Sequence, residues 1–227
     1  AETILEDYHA GTARGTVIKC TGLVIECAGI RPRIGSMCVI ETEHGPVKAE
    51  VVGFKEKIAL LMPVDDVVGI RNGDKVKMSS SLSNVPVSHM LIGRVVNSFG
   101  IPIDGKGPIT PDAIYPLYAR GPAPMSRPVI TDILETGIKS IDSLLTIGRG
   151  QRVGLFSGSG VGKSVLLGMI ARNTHADVTV IALTGERSRE VRQFIEKDLG
   201  EEGMRRSVVV VETADSPAPL RARAPFA

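Results

Sequence analysis

Short apolar and β-branched runs, separated by turn signals, fill the first third of the chain. These runs cover residues 15–20, 22–27, 37–41 and 47–52. Turn residues stand at 43–46 and 71–74. Because no helical periodicity of useful length interrupts residues 13–79, the pattern favours a small closed or half-closed β-barrel. Residues 80–90 are polar and rich in turn residues, so they predict a linker.

From residue 91 onward, continuously apolar runs alternate with segments of helical periodicity. The apolar runs predict strands at 153–156, 178–183 and 207–211. They lack the alternation of an exposed sheet face, which is typical of strands buried in a parallel sheet. The pattern therefore predicts an α/β domain over residues 91–227, after a β-barrel domain at 1–79 and a linker at 80–90.

Two helices are expected between these strands and one after them. The first ends near Asn173, and the second begins near Ser188. The apolar residues of the second helix share one stripe and are Val191, Phe194, Ile195 and Leu199. Beyond the third strand, Ser216 and Pro217 predict the N-cap and first residue of a further helix.

The glycine-rich segment at 157–164 lies between the predicted strand at 153–156 and the first helix. A strand, a glycine-rich turn and a helix form the context of a phosphate-binding loop. Glycines let the backbone curl so that its N–H groups point toward phosphate oxygens, and the helix N-terminus adds partial positive charge. We expect Lys163 to reach the outer phosphates and the Ser164 hydroxyl to bind Mg²⁺. The predicted nucleotide-binding residues are Ser157, Gly158, Ser159, Gly160, Val161, Gly162, Lys163, Ser164 and Val165.

One position departs from the strict form of this motif, which has glycine where this chain has Ser157. A small residue at this position weakens the match to the motif more than it weakens the ability to bind phosphate. The alternative is a glycine-rich turn that carries a lysine by chance. The flanking strand and helix patterns disfavour that alternative.

Hydrolysis requires more than a phosphate loop, because an acid or amide must orient the attacking water. Glu186 and Arg187 follow the predicted strand at 178–183. The C-terminal ends of parallel strands face the ligand crevice of an α/β sheet. We therefore expect Glu186 to meet the terminal phosphate and Arg187 to steady Glu186 or the phosphate charge. Taken alone, these residues would also fit a solvated turn that caps the next helix.

A competing assignment involves the third predicted strand. Residues 208–211 are apolar and run into Glu212, and Asp215 follows closely. An apolar strand that ends in a carboxylate is the usual arrangement for a magnesium-coordinating acid. The residues alone leave this alternative open.

Charge and composition narrow the function classes. The net charge is +2, from 27 basic and 25 acidic residues, so no global field favours nucleic acid. No apolar run approaches the roughly 18 residues that span a bilayer, and the acidic residues 1–7 lack the features of a secretory signal. Cys20, Cys27 and Cys38 are odd in number and widely spaced, which fits neither a zinc site nor a disulfide framework. We expect buried free thiols in a cytoplasmic protein.

Several stretches resemble one family closely. One stretch leads through the phosphate loop, from residue 148 to 169, and another covers the Gly-Glu-Arg turn at 185–191. The others precede the loop, at residues 92–97, 103–107, 115–120 and 136–145. The chain is similar to the flagellar and type III protein-export ATPases, which are relatives of the rotary ATP synthase catalytic subunit. The resemblance spans essentially the whole chain and is sharpest from about residue 91 to 211.

The resemblance implies a fold and a set of roles. By it, residues to about 79 form the barrel that packs subunits into a ring, and the later residues form the first part of a RecA-like P-loop ATPase domain. ATP and Mg²⁺ are the implied cofactors, bound by Lys163 and Ser164. Glu186 corresponds to the glutamate that polarises water, and Arg187 to its neighbour near the γ-phosphate. The family's magnesium-side aspartate stands on a later strand, which favours Glu186 over Glu212 for catalysis.

The implied function is ATP hydrolysis that drives export of unfolded proteins through a flagellar or type III secretion apparatus. The implied assembly is a homohexamer that binds stalk and regulator proteins, exported substrates and chaperones. The implied location is the cytoplasm, at the inner face of the cell membrane, with peripheral membrane association at most. Because the family's arginine finger and adenine-contacting aromatic lie beyond residue 227, we expect a fragment that is nearly inactive alone.

Three alternatives use the same motifs. A non-catalytic nucleotide-binding subunit would replace the glutamate, so Glu186 argues against it. A catalytic subunit of a proton-translocating ATP synthase is a closer alternative, because both families share these motifs. Only the sharper local similarities to the export ATPases favour export. An RNA-translocating ring ATPase stacks bases on aromatic side chains, and only Tyr8 and Phe54 are aromatic in residues 1–80. We therefore expect no nucleic-acid partner.

Overall fold

The computed structural model describes residues 14–65, 69–79, 84–119, 121–158 and 160–227. Ser159, the acidic N-terminus and residues 80–83 of the predicted linker lie outside the described residues. The described residues form two compact units. One unit holds the residues up to Val85 together with Ser216–Arg223, and the other holds Pro86–Asp215 with Ala224–Ala227. Among the described residues, no helix combines the length and apolar character that a bilayer span requires.

The first unit contains a closed antiparallel barrel of six strands in the order β1-β2-β5-β4-β3-β6. The strands are β1 Arg14–Thr21, β2 Val24–Ala28, β3 Met37–Thr42, β4 Gly45–Lys55, β5 Ile58–Pro63 and β6 Lys75–Ser79. Pairing of Arg14 with Lys77 joins β1 to β6 and closes the barrel. The predicted β-barrel is thereby confirmed, and β5 and β6 are strands that the sequence pattern did not single out.

Alternating side chains fill the barrel interior. Along β4, Val47, Ala49 and Val51 are buried while the residues between them are more exposed, as a strand with one face in the core requires. The predicted turn at 71–74 joins the ladder: the Gly73 N–H donates to the Val17 carbonyl at 2.8 Å, and the Val17 N–H donates to the Asp74 carbonyl at 2.9 Å. Gly73 has a φ of 98°, a conformation that favours glycine.

The second unit is built on a parallel three-stranded sheet in the order β10-β11-β8. The remaining strands are β7 Asn84–Val87, β8 Val95–Val96, β9 Ala113–Pro116, β10 Thr179–Thr184 and β11 Ser207–Glu212. β7 and β9 pair in a separate two-stranded sheet. The predicted strands at 178–183 and 207–211 are confirmed to within one residue, and they pair in parallel over six residues each.

Helical segments pack on one face of this sheet through Ala171, Val191, Phe194 and Leu199. The α-helices of the described residues are α1 Lys139–Leu144, α2 Lys163–Asn173, α3 Ser188–Gln193, α4 Gly200–Met204 and α5 Ala218–Arg223. A π-helical segment, Phe194–Leu199, joins α3 to α4, and 3₁₀ turns occur at His89–Leu91, Pro124–Ser126 and Ala224–Phe226. The predicted stripe is confirmed, since Val191, Phe194 and Leu199 are buried with Ile195 packed beside them. α5 begins at Ala218, one residue after the predicted start.

Two predictions about the sheet are wrong. Residues 153–156 form no strand, and Phe156 is 95% exposed. None of the sheets formed by the described strands includes this segment, so the sheet pairing that defines a strand is absent here. β10 is parallel as predicted, but it is not buried on both faces. The helices cover the face that bears Ile181 and Leu183, whereas Val180 on the opposite face is 68% exposed.

The expectation of three buried thiols is also wrong in part. Cys27 and Cys38 are buried in the barrel, whereas Cys20 is exposed. A bulge in β1 between Val17 and Lys19 interrupts the alternation of inward and outward side chains. Cys20 lies beyond that bulge, where β1 no longer points alternate residues into the core.

Arg206 stabilises the C-terminal end of α2. Its guanidinium donates to the carbonyl oxygens of Ala171 at 3.0 Å, Arg172 at 2.6 Å and Ala176 at 3.1 Å. The last carbonyls of a helix have no partner within the helix and carry partial negative charge, so a cation there satisfies both needs. One side chain from the start of β11 therefore anchors the helix that follows the glycine-rich loop.

We predict that Arg206→Ala lowers the free energy of unfolding of the second unit by about 2 kcal/mol, because three carbonyls lose a charged donor. Arg205→Ala removes a neighbouring exposed cation and should change it by less than about 0.5 kcal/mol. Urea denaturation monitored by circular dichroism measures both. Equal stability of the two variants would contradict the role of Arg206.

We also predict selective thiol chemistry. Burial raises the pKa of Cys27 to about 11 and that of Cys38 to about 12. Only Cys20 should therefore react with iodoacetamide at about pH 8, whereas all three should react in denaturant. Mass spectrometry of the alkylated chain counts the modified thiols. Rapid labelling of Cys38 in the folded chain would refute the barrel packing.

The same burial predicts a pH dependence of stability. Because both folded-state pKa values are raised, the unfolded chain releases these protons first. The contribution to stability is then complete below about pH 8 and declines as the pH rises from about 9 through the folded-state values. Urea unfolding of a Cys27→Ser, Cys38→Ser variant against the parent chain across this range measures the effect. The parent should lose stability more steeply.

Candidate functional site

The glycine-rich loop ends in a turn that only glycine tolerates well. Gly160 has a φ of 76° and Gly162 a φ of 92°, and Gly162 is the N-cap of α2. α2 therefore begins at Lys163, and the Leu166 N–H donates to the Gly162 carbonyl at 2.9 Å. This places the free amide groups of the first helical turn at the loop, where an anion finds both donors and partial positive charge.

A pocket of about 400 Å³ opens at this loop. Its lining combines loop residues with acidic and amide side chains, and consists of Gly158, Gly160, Gly162, Lys163, Ser164, Val165, Glu186, Glu190, Gln193 and Asp198. Most of the predicted nucleotide-binding residues and Glu186 therefore share one concavity. Ser157, Val161 and Arg187 are described but do not line it.

The fold fits a phosphate in this pocket. A Cβ added at Gly158, Gly160 or Gly162 would meet no atom within 4 Å, so the loop leaves open space above its backbone. Lys163 supplies a cation and Ser164 a hydroxyl at the same helix start. Among the described residues, no group of three acidic, histidine or cysteine side chains could hold a metal ion. The Ser164 hydroxyl fits a magnesium ion, because this ion commonly binds through few protein ligands together with substrate phosphates.

Backbone hydrogen bonds fix the approach of Glu186 to the pocket. β10 ends at Thr184, and Gly185 then turns the chain with a φ of 75°. The Gly185 N–H donates to the Glu212 carbonyl at 2.8 Å, and the Ala214 N–H donates to the Glu186 carbonyl at 3.0 Å. Glu186 is half-buried in this position. The end of β11 thus holds the turn that carries the predicted catalytic carboxylate.

Arg187 has a different environment. Its side chain is 84% exposed, and its guanidinium lies 3.7 Å from the Glu190 carboxylate, a distance typical of a weak surface ion pair. Its backbone forms the N-cap of α3. The structure thus brings Glu186 to the pocket while Arg187 points to solvent, so a phosphate-steadying role for Arg187 stays a prediction.

The competing carboxylates lie outside the pocket. Glu212 is 5% exposed, and its Oε1 accepts from the Ser98 N–H at 2.9 Å. Asp215 accepts from the Ser188 hydroxyl at 3.5 Å, beside the start of α3. Neither Glu212 nor Asp215 lines the pocket, so the geometry favours Glu186 over both as the carboxylate of the nucleotide site.

Sequence reasoning missed three residues of the lining. Glu190 and Gln193 stand three residues apart on α3, a spacing that places both on one helix face, so helical periodicity could have found them. Asp198 enters through the π-helical segment, which packs closely on α2. A Cβ at Gly168 would lie 2.6 Å from the Asp198 carbonyl oxygen, and that oxygen accepts from Arg172.

A smaller cavity of about 230 Å³ adjoins the pocket and shares Lys163, Ser164, Glu186 and Glu190 with it. Its lining also includes apolar side chains, which are Leu167, Ala182, Leu183, Val191 and Phe194. Apolar groups therefore lie beside the charged groups at this pocket. The arrangement can bind an anionic phosphate and present a carboxylate to it.

Comparison with known families agrees with this geometry. Residues 17–79 match the beta-barrel domain of the ATP synthase alpha/beta family, and residues 137–227 match the nucleotide-binding domain of the same family. Together the two matches cover more than half of the chain.

Curated relatives are similar over nearly the whole chain. The flagellum-specific ATP synthase of Bacillus subtilis (strain 168) is 50% identical over 217 residues, which cover 93% of this chain and 49% of that protein. The type 3 secretion system ATPase of Xanthomonas euvesicatoria is 42% identical over 231 residues, covering 99% and 52%. The chain spans about half the length of the curated relatives it matches.

Solved structures show the same fold. The assembled ATPase EscN from the enteropathogenic E. coli type III secretion system superposes with a TM-score of 0.83 at 37% identity, over 93% of this chain and 51% of that one. EscN in complex with its central stalk EscO gives a TM-score of 0.82 at the same identity, over 93% of this chain and 52% of that one.

Proposed function

This chain belongs to the ATP synthase alpha/beta family, and we propose that the protein hydrolyses ATP to drive protein export through a flagellar or type III secretion apparatus. The observation that carries the proposal is that Lys163 and Ser164 of the phosphate loop line the same pocket as Glu186. The names of the relatives, flagellum-specific ATP synthase and type 3 secretion system ATPase, support export as the process that hydrolysis powers.

Each chain residue has a distinct part in this proposal. The amide groups at the start of α2 and the Lys163 ammonium hold the phosphates, and the Ser164 hydroxyl holds Mg²⁺. Magnesium, when bound, neutralises charge on the β- and γ-phosphates. Glu186, which lines the same pocket, orients and polarises the attacking water. Arg187 steadies the charge near the γ-phosphate.

The assembly is proposed from the solved relatives. EscN is described as an assembled ATPase and as a complex with a central stalk, and this chain shares its fold over both units. We propose that the protein forms a homohexameric ring through its barrel and binds a stalk protein. Regulator proteins, exported substrates and chaperones are further proposed partners, at the inner face of the cell membrane. Nucleic acid is not a proposed partner, given the net charge of +2.

We predict that Glu186→Gln in the full-length protein lowers the ATP turnover number by about 10²–10⁴-fold, the contribution of a positioned general base. The dissociation constant for MgATP should change by less than about threefold, because the phosphate loop is intact. Glu201→Gln, which changes an exposed glutamate on α4, is the matched control. Phosphate release and titration with a fluorescent ATP analogue measure the two quantities.

Lys163→Ala should impair MgATP binding as well as turnover. Loss of the phosphate-binding cation weakens MgATP binding by about tenfold or more and abolishes turnover with it. If Glu186→Gln keeps the turnover of Glu201→Gln, Glu186 is not the base. If Lys163→Ala binds MgATP as tightly as the parent protein, the loop is not the nucleotide site.

A further inference from the structure

Glu212 is a buried acid that the proposed reaction does not use. It is the last residue of β11, is 5% exposed and does not line the pocket. A buried carboxyl group without a hydrogen-bond partner is costly, so its partner indicates why the residue is there. That partner is the backbone N–H of Ser98, which is 114 residues away along the chain.

The turn that presents Ser98 is internally fixed. The Asn97 Oδ1 accepts from the N–H groups of both Phe99 and Ile101 at 3.0 Å. The Asn97 N–H donates to the Ile101 carbonyl, and the Gly100 N–H donates to the Asn97 carbonyl, each at 2.9 Å. Ser98 is fully buried, and Glu212 supplies the acceptor that its N–H needs. The Glu212 carboxyl group is thus attached to a rigid support.

A short path leads from Glu212 to Glu186. In the parallel ladder Glu212 lies opposite Thr184, two residues before Glu186. The Glu212 carbonyl accepts the Gly185 N–H, and Ala214, two residues beyond Glu212, donates to the Glu186 carbonyl. Both of these backbone hydrogen bonds therefore involve residues 212–214. The side chain of Glu212, at the start of this segment, is hydrogen-bonded to Ser98.

We propose that Glu212 is a positioning residue, which fixes the end of β11 against the Ser98 turn and thereby holds the Glu186 carboxylate in place. The inference rests on the proposed role of Glu186. It also accounts for the second carboxylate that the sequence pattern left as a candidate magnesium acid. Glu212 acts through its hydrogen bond to Ser98 and not by contact with metal or nucleotide.

This role differs from a magnesium-binding role in what it requires of the side chain. A positioning residue needs one acceptor oxygen at the right distance, and a carboxamide offers that oxygen as well as a carboxylate does. A magnesium acid needs the negative charge. Glu212→Gln therefore preserves function under the first role and damages it under the second.

The test uses the full-length protein with three variants at this position. Glu212→Leu removes the acceptor at similar volume and should lower the turnover number by about 10–100-fold, since a displacement near 1 Å costs that much. MgATP affinity should change by less than about threefold. Glu212→Gln should keep turnover within about threefold of the parent. Glu212→Asp retains the charge but is one methylene short, so it should resemble Glu212→Leu, and it serves if the leucine variant fails to fold.

A double-mutant comparison in single-turnover experiments separates positioning from general stabilisation. Because Glu212 acts only through Glu186, Glu212→Leu should cause no further loss on a Glu186→Gln background. Hydrogen exchange should show faster exchange of the Gly185 and Ala214 amides in Glu212→Leu. The Glu201→Gln protein again provides the control for removal of an acidic group.

Each outcome decides between the claims. If Glu186→Gln lowers turnover but Glu212→Leu and Glu212→Asp do not, the inference is overturned and the proposed function stands. If Glu212→Gln is as damaging as Glu212→Leu and raises the magnesium concentration required, Glu212 is a magnesium acid. If Glu186→Gln itself leaves turnover unchanged, both the proposed base and its positioning residue fall.

Discussion

The parallel pairing of β10 with β11 is the constraint on which the candidate site depends. Parallel strands end at the same edge of a sheet, so Thr184 and Glu212 stand opposite each other there. The turn that leaves β10 then carries Glu186, while the segment that leaves β11 supplies both backbone partners of that turn. A one-residue shift of this register would change which face each side chain points to and would remove those partners.

The phosphate loop reaches the same edge because α2 is anchored at its middle and at its C-terminal end. At Gly168 the helix approaches the π-helical segment so closely that a Cβ would clash with the Asp198 carbonyl. At the C-terminal end the Arg206 guanidinium binds three carbonyl groups. Helix position therefore follows from contacts at its middle and end, and the loop at its start is left free to bind a ligand.

Local patterns predicted a large part of this arrangement. Periodicity predicts most of the barrel strands, α2, β10, β11 and the stripe from Val191 to Leu199, because the spacing of apolar residues within one element is local. Closure of the barrel is not local, since it pairs Arg14 with Lys77. The loop and Glu186 follow from motif chemistry, which is also local. The segment at 153–156 forms no strand, because a strand requires a paired neighbour and none of the sheets of the described strands includes it. Asp198 and Glu212 depend on long-range packing, which no local pattern contains.

Exposure of the loop places a limit on its chemistry. Lys163 and Ser164 are exposed and Glu186 is half-buried, so the charges at this pocket are well solvated. Two unit charges at 4 Å interact by about 1 kcal/mol in water but by about 4 kcal/mol at the effective dielectric of a partly buried site. Electrostatic stabilisation of a transition state therefore requires that water be excluded from this pocket.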